Sequence, residues 1–319
     1  TVDGDDLDIT NQNNFTILAN GTVEDLDHFE NEGADAQLTI DATGRLFTDR
    51  LNNTGNVTNS GSIVGTVTNA NDTVSGLTGT LTSTGLISGN LINAGIADLA
   101  GTIGGNLSNS GTDVDVTADL SVGFLGNSGT LDINSGAELS VTNSATNSGT
   151  LNIQGSGTSA GSFKGNLTNN GTVNSSGTVK GNLANNGTAN LSGEVTGNLD
   201  NNSSDLGLTG NLKVGGLTNR TNATVEIESG QTLTSPGTIL NETGGTIRVL
   251  GKLTGDVDNS GLLSNSTTIT GDVTNNSGGV LKSLARIEGD VDNDGTANLT
   301  GTITGELDNS TNTLSLDGN

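Results

Sequence analysis

The chain of 319 residues has no Cys, Met, Trp or Tyr, a single Pro, a single His and five Phe. Without Cys there are neither disulfides nor thiolate metal ligands. A His-dependent triad or metal cluster would have to rest on His28 alone, flanked by Asp25 and Asp27. One imidazole among adjacent acids reads as a solvated turn. The absence of Trp and Tyr removes the aromatic platforms on which sugars stack, and the composition as a whole points away from an enzyme, with no catalytic residue to nominate. No run of about 18 apolar residues occurs, so no membrane insertion is expected. Ten basic residues stand against 35 acidic ones, a formal net charge of −25, which argues against nucleic acid or anionic lipid as partner. The absence of Met with Thr1 first suggests a processed or excised mature region.

What remains is Gly, Asn, Thr and Ser, with 30% apolar residues, a composition that by itself would suggest disorder. Periodicity overrides it. Asparagines recur at Asn31, Asn53, Asn69, Asn93, Asn109, Asn127, Asn147, Asn169, Asn185, Asn201, Asn219, Asn241, Asn259, Asn275, Asn293 and Asn309, in steps of 16 to 24 residues. Almost every one follows an aliphatic residue by two positions, as in Leu167-Thr168-Asn169 and Val291-Asp292-Asn293. This is the length of one coil of a parallel β-solenoid. Between Gly165 and Gly197 two coils of 16 residues follow one another, GNLTNNGTVNSSGTVK and GNLANNGTANLSGEVT. Within the second, Leu183, Ala189, Leu191 and Val195 are separated by the turn signals Asn186-Gly187 and Ser192-Gly193. The fold class is therefore all-β: a single parallel β-helix (β-solenoid) of about 16–17 coils, with three short strands per coil and almost no helix. An Asn ladder at one corner is expected, each amide bonding to its equivalents about 4.8 Å above and below.

Residues 1–30 read as an N-terminal cap or entry coil, with Ile9-Thr10-Asn11 a degenerate first coil and Phe15 and Phe29 filling its end. Residues 31–319 read as the solenoid rod, one continuous domain with the cap, some 75–80 Å long at about 4.8 Å per rung. Phe47, Phe124 and Phe163 are expected in the core, and the 20- and 22-residue coils are expected to bulge or to carry longer strands such as Thr224–Glu228. Leu314-Ser315-Leu316 reads as one more strand without a polar cap behind it.

The GNLTNNGTV-like units resemble the haemagglutinin-type and autotransporter passenger repeats of Gram-negative surface proteins, which form right-handed parallel β-helices. The likeness is one of pattern and composition over nearly the whole chain. It implies adhesion or surface display, at the bacterial cell surface or outside the cell, and transfers no functional residue. Two structural roles follow: the rod of an adhesin, continued covalently, or a filament subunit that self-associates end to end, as an uncapped solenoid edge allows.

One chemical feature stands out near the C-terminus. In four successive coils the residue after the coil-start Gly is Asp256, Asp272, Asp290 and Glu306, and two positions on come Asp258, Thr274, Asp292 and Asp308. Stacked in register, these carboxylates form columns whose mutual repulsion a hard cation such as Ca²⁺ would relieve. The seven acids are thus candidate Ca²⁺ ligands of a calcium-binding surface-layer or matrix protein. The plainer reading is a hydrated face that discourages sideways sheet pairing. Asp3-Gly4-Asp5-Asp6 is a second acidic candidate. An ice-binding face would need unbroken Thr-x-Thr columns. Thr268/Thr270 and Thr302/Thr304 fit, but the sequence interrupts them with Arg286/Glu288 and, elsewhere, Glu194/Thr196 and Ser62/Val64.

Overall fold

The computed structural model describes residues 7–111, 113–155, 160–203, 206–310 and 313–316. The acidic run Asp3–Asp6 lies outside them. Among the described residues every regular element is a strand. Two compact units divide the chain, Thr1–Gly165 and Asn166–Asn319, and both are parallel β-solenoids.

In the first unit the strands Leu7–Asn11, Thr22–Asn31, Arg45–Asn53, Ser62–Asn69, Leu91–Asn93, Ile96–Asn109, Asp113–Asn127 and Ala145–Asn147 succeed one another on one face, each parallel to the last. Their register sets Asn opposite Asn at every step from Asn11 to Asn147. In the second unit the same series runs from Leu167–Asn169 through Leu183–Asn185, Val257–Asn259 and Val291–Asn293 to Leu307–Asn309, again Asn on Asn. Eight ladder positions in the first unit and nine in the second amount to about 17 coils. Asn11 takes its place in the ladder, so the entry segment contributes a rung of its own.

Three strands per coil are plain in Leu167–Asn169, Thr172–Ser175 and Thr178–Lys180, before Leu183–Asn185 begins the next turn. Alternation along each short strand turns one or two aliphatic residues inward. Columns of like side chains follow: Leu51, Val67, Leu91 and Leu107 on the first face, and Leu46, Ile63, Ile87 and Ile103 on the third, all at most 2% exposed. The second unit repeats the arrangement with Ile247, Leu263 and Leu281, and with Leu253, Ile269 and Ile287. A chain with so few apolar residues can fold because each coil covers its neighbour's aliphatic row, while inter-coil backbone bonds take up the polar groups. Glycine is imposed where the corners stack closely: a Cβ on Gly129 would collide with the carbonyl oxygen of Gly111 one coil earlier.

The long coils bulge at their corners and do not lengthen their strands. Strand Thr224–Ile227 has four residues, the same as Thr246–Val249 against which it pairs. Most of the extra residues of that coil go into two turns, closed by the Ala223 and Gln231 N–H groups on the Arg220 and Glu228 carbonyls, and the rest into the corner between Thr234 and Ile239. They use the positive-φ residues Asn222 (64°) and Gly230 (84°). Lengthening a strand would turn residues of the neighbouring pairs to the wrong face, whereas a corner loop leaves register intact. The 24-residue coil between Asn69 and Asn93 extrudes an antiparallel hairpin, Asn71–Asp72 against Leu77–Thr78, with Val74 at its exposed tip. The aromatics also divide differently. Phe29 and Phe163 are fully buried, and Phe15 packs edge-on against Phe29 at a centroid distance of 5.2 Å. Phe124, in contrast, is 45% exposed: it precedes inward Leu125 and so occupies an outward position level with Asn106.

The ladder side chains from Asn11 to Asn293 are buried, Asn309 is half-buried, and their hydrogen bonds are continuous within each unit. Asn11 Nδ2 donates to Asn31 Oδ1, and Asn31 to Asn53, at 2.7 Å each; the series continues to Asn127 donating to Asn147 at 2.7 Å. In the second unit it runs from Asn169 to Asn185 (2.8 Å) through Asn259 to Asn275 (2.7 Å), ending with Asn293 on Asn309 (2.7 Å). The second amide hydrogen finds backbone carbonyls at the corner, as Asn259 Nδ2 does with Gly261 O (3.2 Å) and Val280 O (3.3 Å).

Asn259 therefore provides a direct measure of the ladder. Asn259→Ala leaves the Asn241 donor and the Asn275 acceptor unpaired at a site that is fully buried in the native protein. Equilibrium urea unfolding should show a loss of about 3 kcal/mol, the cost of two orphaned buried polar groups. Asn259→Asp should lose more, because it buries a charge. Thr274→Ala, at an exposed position one rung away, should change stability by no more than about 0.5 kcal/mol.

Candidate functional site

The acidic column forms as the spacing requires. Val257, Val273, Val291 and Leu307 are level on successive coils, which stacks Asp256, Asp272, Asp290 and Glu306 immediately before them. All four are exposed. Their shared task is visible in the hydrogen bonds. Asp256 Oδ1 accepts the Asp272 N–H at 3.0 Å, Asp272 Oδ1 accepts the Asp290 N–H at 2.8 Å, and Asp290 Oδ1 accepts the Glu306 N–H at 2.7 Å. Elsewhere asparagine does the same work: Asn166 and Asn182 accept the N–H groups of Asn182 and Asn198 at 3.0 and 2.8 Å, and Asn90 accepts that of Asn106 at 2.9 Å. The column thus supplies an acceptor for a corner N–H of the following coil, and Asp performs that role with a charge-assisted bond.

The other column is broken. Asp258 is followed by Thr274 on the next coil, and only Asp292 and Asp308 stand on adjacent rungs. Asp258 is half-buried and accepts the Asn276 amide. Among the described residues, no group of three or more His, Asp and Glu side chains is gathered as a metal centre would require. His28 is half-buried, with Nδ1 3.2 Å from Asp8 Oδ1, and it lies on strand Thr22–Asn31 between two bound coils. The Thr pair Thr268/Thr270 meets Arg286/Glu288 directly on the next coil, and those two are ion-paired at 2.7 Å, so no Thr plane extends there.

A second acidic column, in the first unit, was not apparent from the sequence. Asp98, Asp115 and Asp132 face outward on three successive coils, with Asp113 two residues from Asp115 on the same strand. Burial pushes the Asp115 carboxyl up from its ordinary value, and the charges of Asp113, Asp132 and Asp98 push it further in the same direction. Asn152 relieves the far end by donating to Asp132. On the corresponding face of the second unit Asn190 donates to Asn174 (2.8 Å) and Arg248 pairs with Glu226 (3.5 Å). Phase counting misses this column because Asp115 lies six residues after its ladder Asn109, whereas Asp98 and Asp132 lie five after Asn93 and Asn127.

Two further features complete the polar surface. Arg220 clamps three levels of the second unit, with Nε and Nη2 on the two oxygens of Asp200 (2.7 Å each) and Nη1 on Glu242 (3.0 Å). Its guanidinium is held above its ordinary pKa, chiefly by the Asp200 hydrogen bond. In the first unit the extruded hairpin overhangs an open cleft of about 430 Å³ lined by Glu30, Glu32, Asp35, Asn52 and Asp72. Asp72 is committed to its own turn, accepting Ser75 Oγ at 2.6 Å and the Val74 N–H at 2.9 Å. Those bonds hold its carboxyl below the ordinary value, Ser75 Oγ foremost. Glu30 likewise accepts the Asn52 amide at 2.6 Å. Compared with known protein families, curated proteins and solved structures, the chain matches none.

The raised Asp115 carboxyl fixes the sign of a pH effect. The folded state holds this proton more tightly than the unfolded chain, whose carboxylate titrates at about 3.9. The repulsion therefore weighs fully on the fold at neutral pH and is relieved as the pH falls through the raised value. Asp115→Asn should stabilise the protein by about 0.5–1 kcal/mol at pH 7, the scale of a like-charged cross-strand pair. The difference from wild type should vanish by about pH 3.5, measured by urea unfolding across pH.

The acceptor role of the Asp256–Glu306 column also makes a statement about calcium. Because the N–H groups already engage one oxygen of each Asp, Ca²⁺ should act there only as a screening ion. Calorimetry should show equal shifts in Tm for Ca²⁺ and Mg²⁺ at matched ionic strength. A larger shift with Ca²⁺, abolished in Asp272→Asn/Asp290→Asn, would establish the column as a calcium site.

Proposed function

We propose that this chain is a structural β-solenoid rod of an extracellular bacterial protein, serving as the stalk or passenger of a surface adhesin or as the subunit of a filament. The observation that carries the reading is the uniformity of the coils. From Asn11 to Asn147 and from Asn169 to Asn309 each coil repeats the same buried amide bond and the same aliphatic rows. Such a repeat delivers extension and resistance to bending, since each rung ties only to its neighbours and every rung is tied alike. The acidic, Cys-free, Asn- and Thr-rich surface suits an exported protein, and the GNLTNNGTV-like coils carry the likeness to passenger repeats.

The filament form draws support from the outermost described coils. Ile9 and Phe15 in the first and Leu307 and Leu314 in the last belong to the inward columns, yet they are only half-buried. Their neighbours in the columns, Phe29, Leu38, Val291 and Ala297, lie between two coils and are buried.

Small-angle scattering and negative-stain microscopy of the purified chain test the reading. The expected particle is a stiff rod about 80 Å long, from about 4.8 Å per coil. A compact or flexible particle would overturn it. Isolated rods would favour the stalk, and continuous fibres the filament.

A further inference from the structure

We infer that copies of this chain pack side by side, parallel and level, with a basic corner of one second unit against an acidic corner of the next. The inference goes beyond the stalk and filament readings, because it uses only the flanks of interior coils. The chain has ten basic residues, and four of them, Arg248, Lys252, Lys282 and Arg286, meet at one corner. Strands Thr246–Val249 and Lys252–Thr254 flank that corner, and two coils later strands Val280–Ser283 and Arg286–Glu288 flank it again. Register stacks Arg248 over Ser264 and Lys282, and Lys252 over Thr268 and Arg286. Glu226 and Glu288 occupy the two arginines, at 3.5 and 2.7 Å, and Glu228 stands one coil before Arg248. Lys252 and Lys282 are exposed and have no ion-pair partner among the described residues. Between Lys282 and Arg286, Leu284 projects with 67% of its surface exposed. The corner is held from inside. Asn265, fully buried, donates to Ser283 Oγ (3.0 Å) and to the Arg286 carbonyl (3.1 Å), and accepts the Thr267 N–H (3.2 Å). The flanking coils place Val249 and Leu299 at the same position.

One strand further along the same coils comes the opposite charge. Asp256, Asp272, Asp290 and Glu306 stand exposed at the corner that follows the third strand, with Asp292 and Asp308 beside them and no basic residue among them. Lys252 and Asp256 are four residues apart, as are Arg286 and Asp290, so the two corners are level to within a fraction of one rung, about 4.8 Å. A second copy translated across the face of that strand, without rotation, brings its basic corner onto the acidic corner of the first, coil for coil. Lys252 then faces Asp256, and Lys282 and Arg286 face Asp290 and Asp292. A second copy shares the rung spacing by construction, as an unrelated polyanion does not, and it is therefore the occupant. Each acid of the column follows a glycine, Gly255, Gly271, Gly289 or Gly305, so Leu284 meets bare backbone at the neighbouring corner. The contact is heterologous, and repeating it yields an open row of rods. The formal net charge of −25 opposes association at low salt. At about 150 mM salt its reach falls to about 8 Å, while charges in contact still attract.

Sedimentation velocity and electron microscopy of the full 319-residue chain at about 150 mM NaCl provide the test. Wild type should associate reversibly into rows of parallel rods. Lys252→Glu/Lys282→Glu reverses the basic corner. Asp292→Lys/Glu306→Lys reverses the acidic one at side chains that accept none of the corner N–H groups. All four positions are exposed, and circular dichroism should show unchanged folding. Each variant alone should associate about tenfold more weakly, the scale of turning two exposed attractive pairs into repulsive ones. An equimolar mixture of the two should recover wild-type association, because every corner then meets one of opposite charge. A mixture no better than its components would overturn the pairing. So would wild-type rods that stay single at every concentration, or that lengthen into fibres without broadening. A wild-type chain that stays single yet binds dextran sulfate through Lys252 and Lys282 would overturn it in favour of a polyanion partner.

Discussion

A buried amide that has no partner costs more than a satisfied one contributes, and the whole fold is arranged around that asymmetry. The corner Asn of an interior coil, such as Asn259, is enclosed on all sides, yet its Nδ2 and Oδ1 meet the next and previous rungs and its remaining capacity goes to corner carbonyls. Once one coil is placed, the position of the next Asn is fixed to within a hydrogen bond. Inter-strand register, the stacking of the aliphatic rows and the alignment of the turns all follow from that single constraint. The constraint also explains why coil length can vary from 16 to 24 residues without disturbing the core: extra residues leave at corners, as at Asn222, Gly230 and the Asn71–Thr78 hairpin, and the chain returns to phase before the next Asn.

The surface obeys a looser rule. Outward side chains also stack at the rung spacing, so each surface column is a ladder whose chemistry is chosen rung by rung. Where the column alternates sign or uses amides, as at Glu226–Arg248 and Asn174–Asn190, it adds cohesion. Where it repeats Asp, as at Asp98–Asp115–Asp132, it works against cohesion and is tolerated because the interior ladder already sets the register. The Asp256–Glu306 column lies between these cases, since each Asp is repelled by its neighbours yet accepts an N–H from the coil after it.

Much of this could be read in the sequence because the fold is periodic. The aliphatic-x-Asn unit locates the buried corner, and the Asn-Gly and Ser-Gly pairs locate the turns. The stacking of Asp256, Asp272, Asp290 and Glu306 follows from counting back three residues from each ladder Asn. The purpose of that column was not legible, because a carboxylate facing solvent and one holding a backbone N–H share the same position; the clue was the presence of Asn at the same place in Asn166 and Asn182. The Asp98–Asp115–Asp132 column escaped because a one-residue insertion before Asp115 shifts its offset from the ladder. Phe124 was misplaced for a related reason: hydrophobic character suggested the core, while strand alternation beside Leu125 dictates the outside.

The ladder bonds share one orientation throughout each unit, every Nδ2 reaching toward the coil that comes later in the chain. A finished coil therefore offers its successor a ready template: open strand edges, a row of half-covered aliphatics and an amide hydrogen already aimed. The partners in this growth are one coil apart in sequence, so each step closes a loop of some 16 to 24 residues whatever the total length. Assembly of the native state can then advance as a front, in the order in which the polypeptide emerges, with no need to bring its distant ends together.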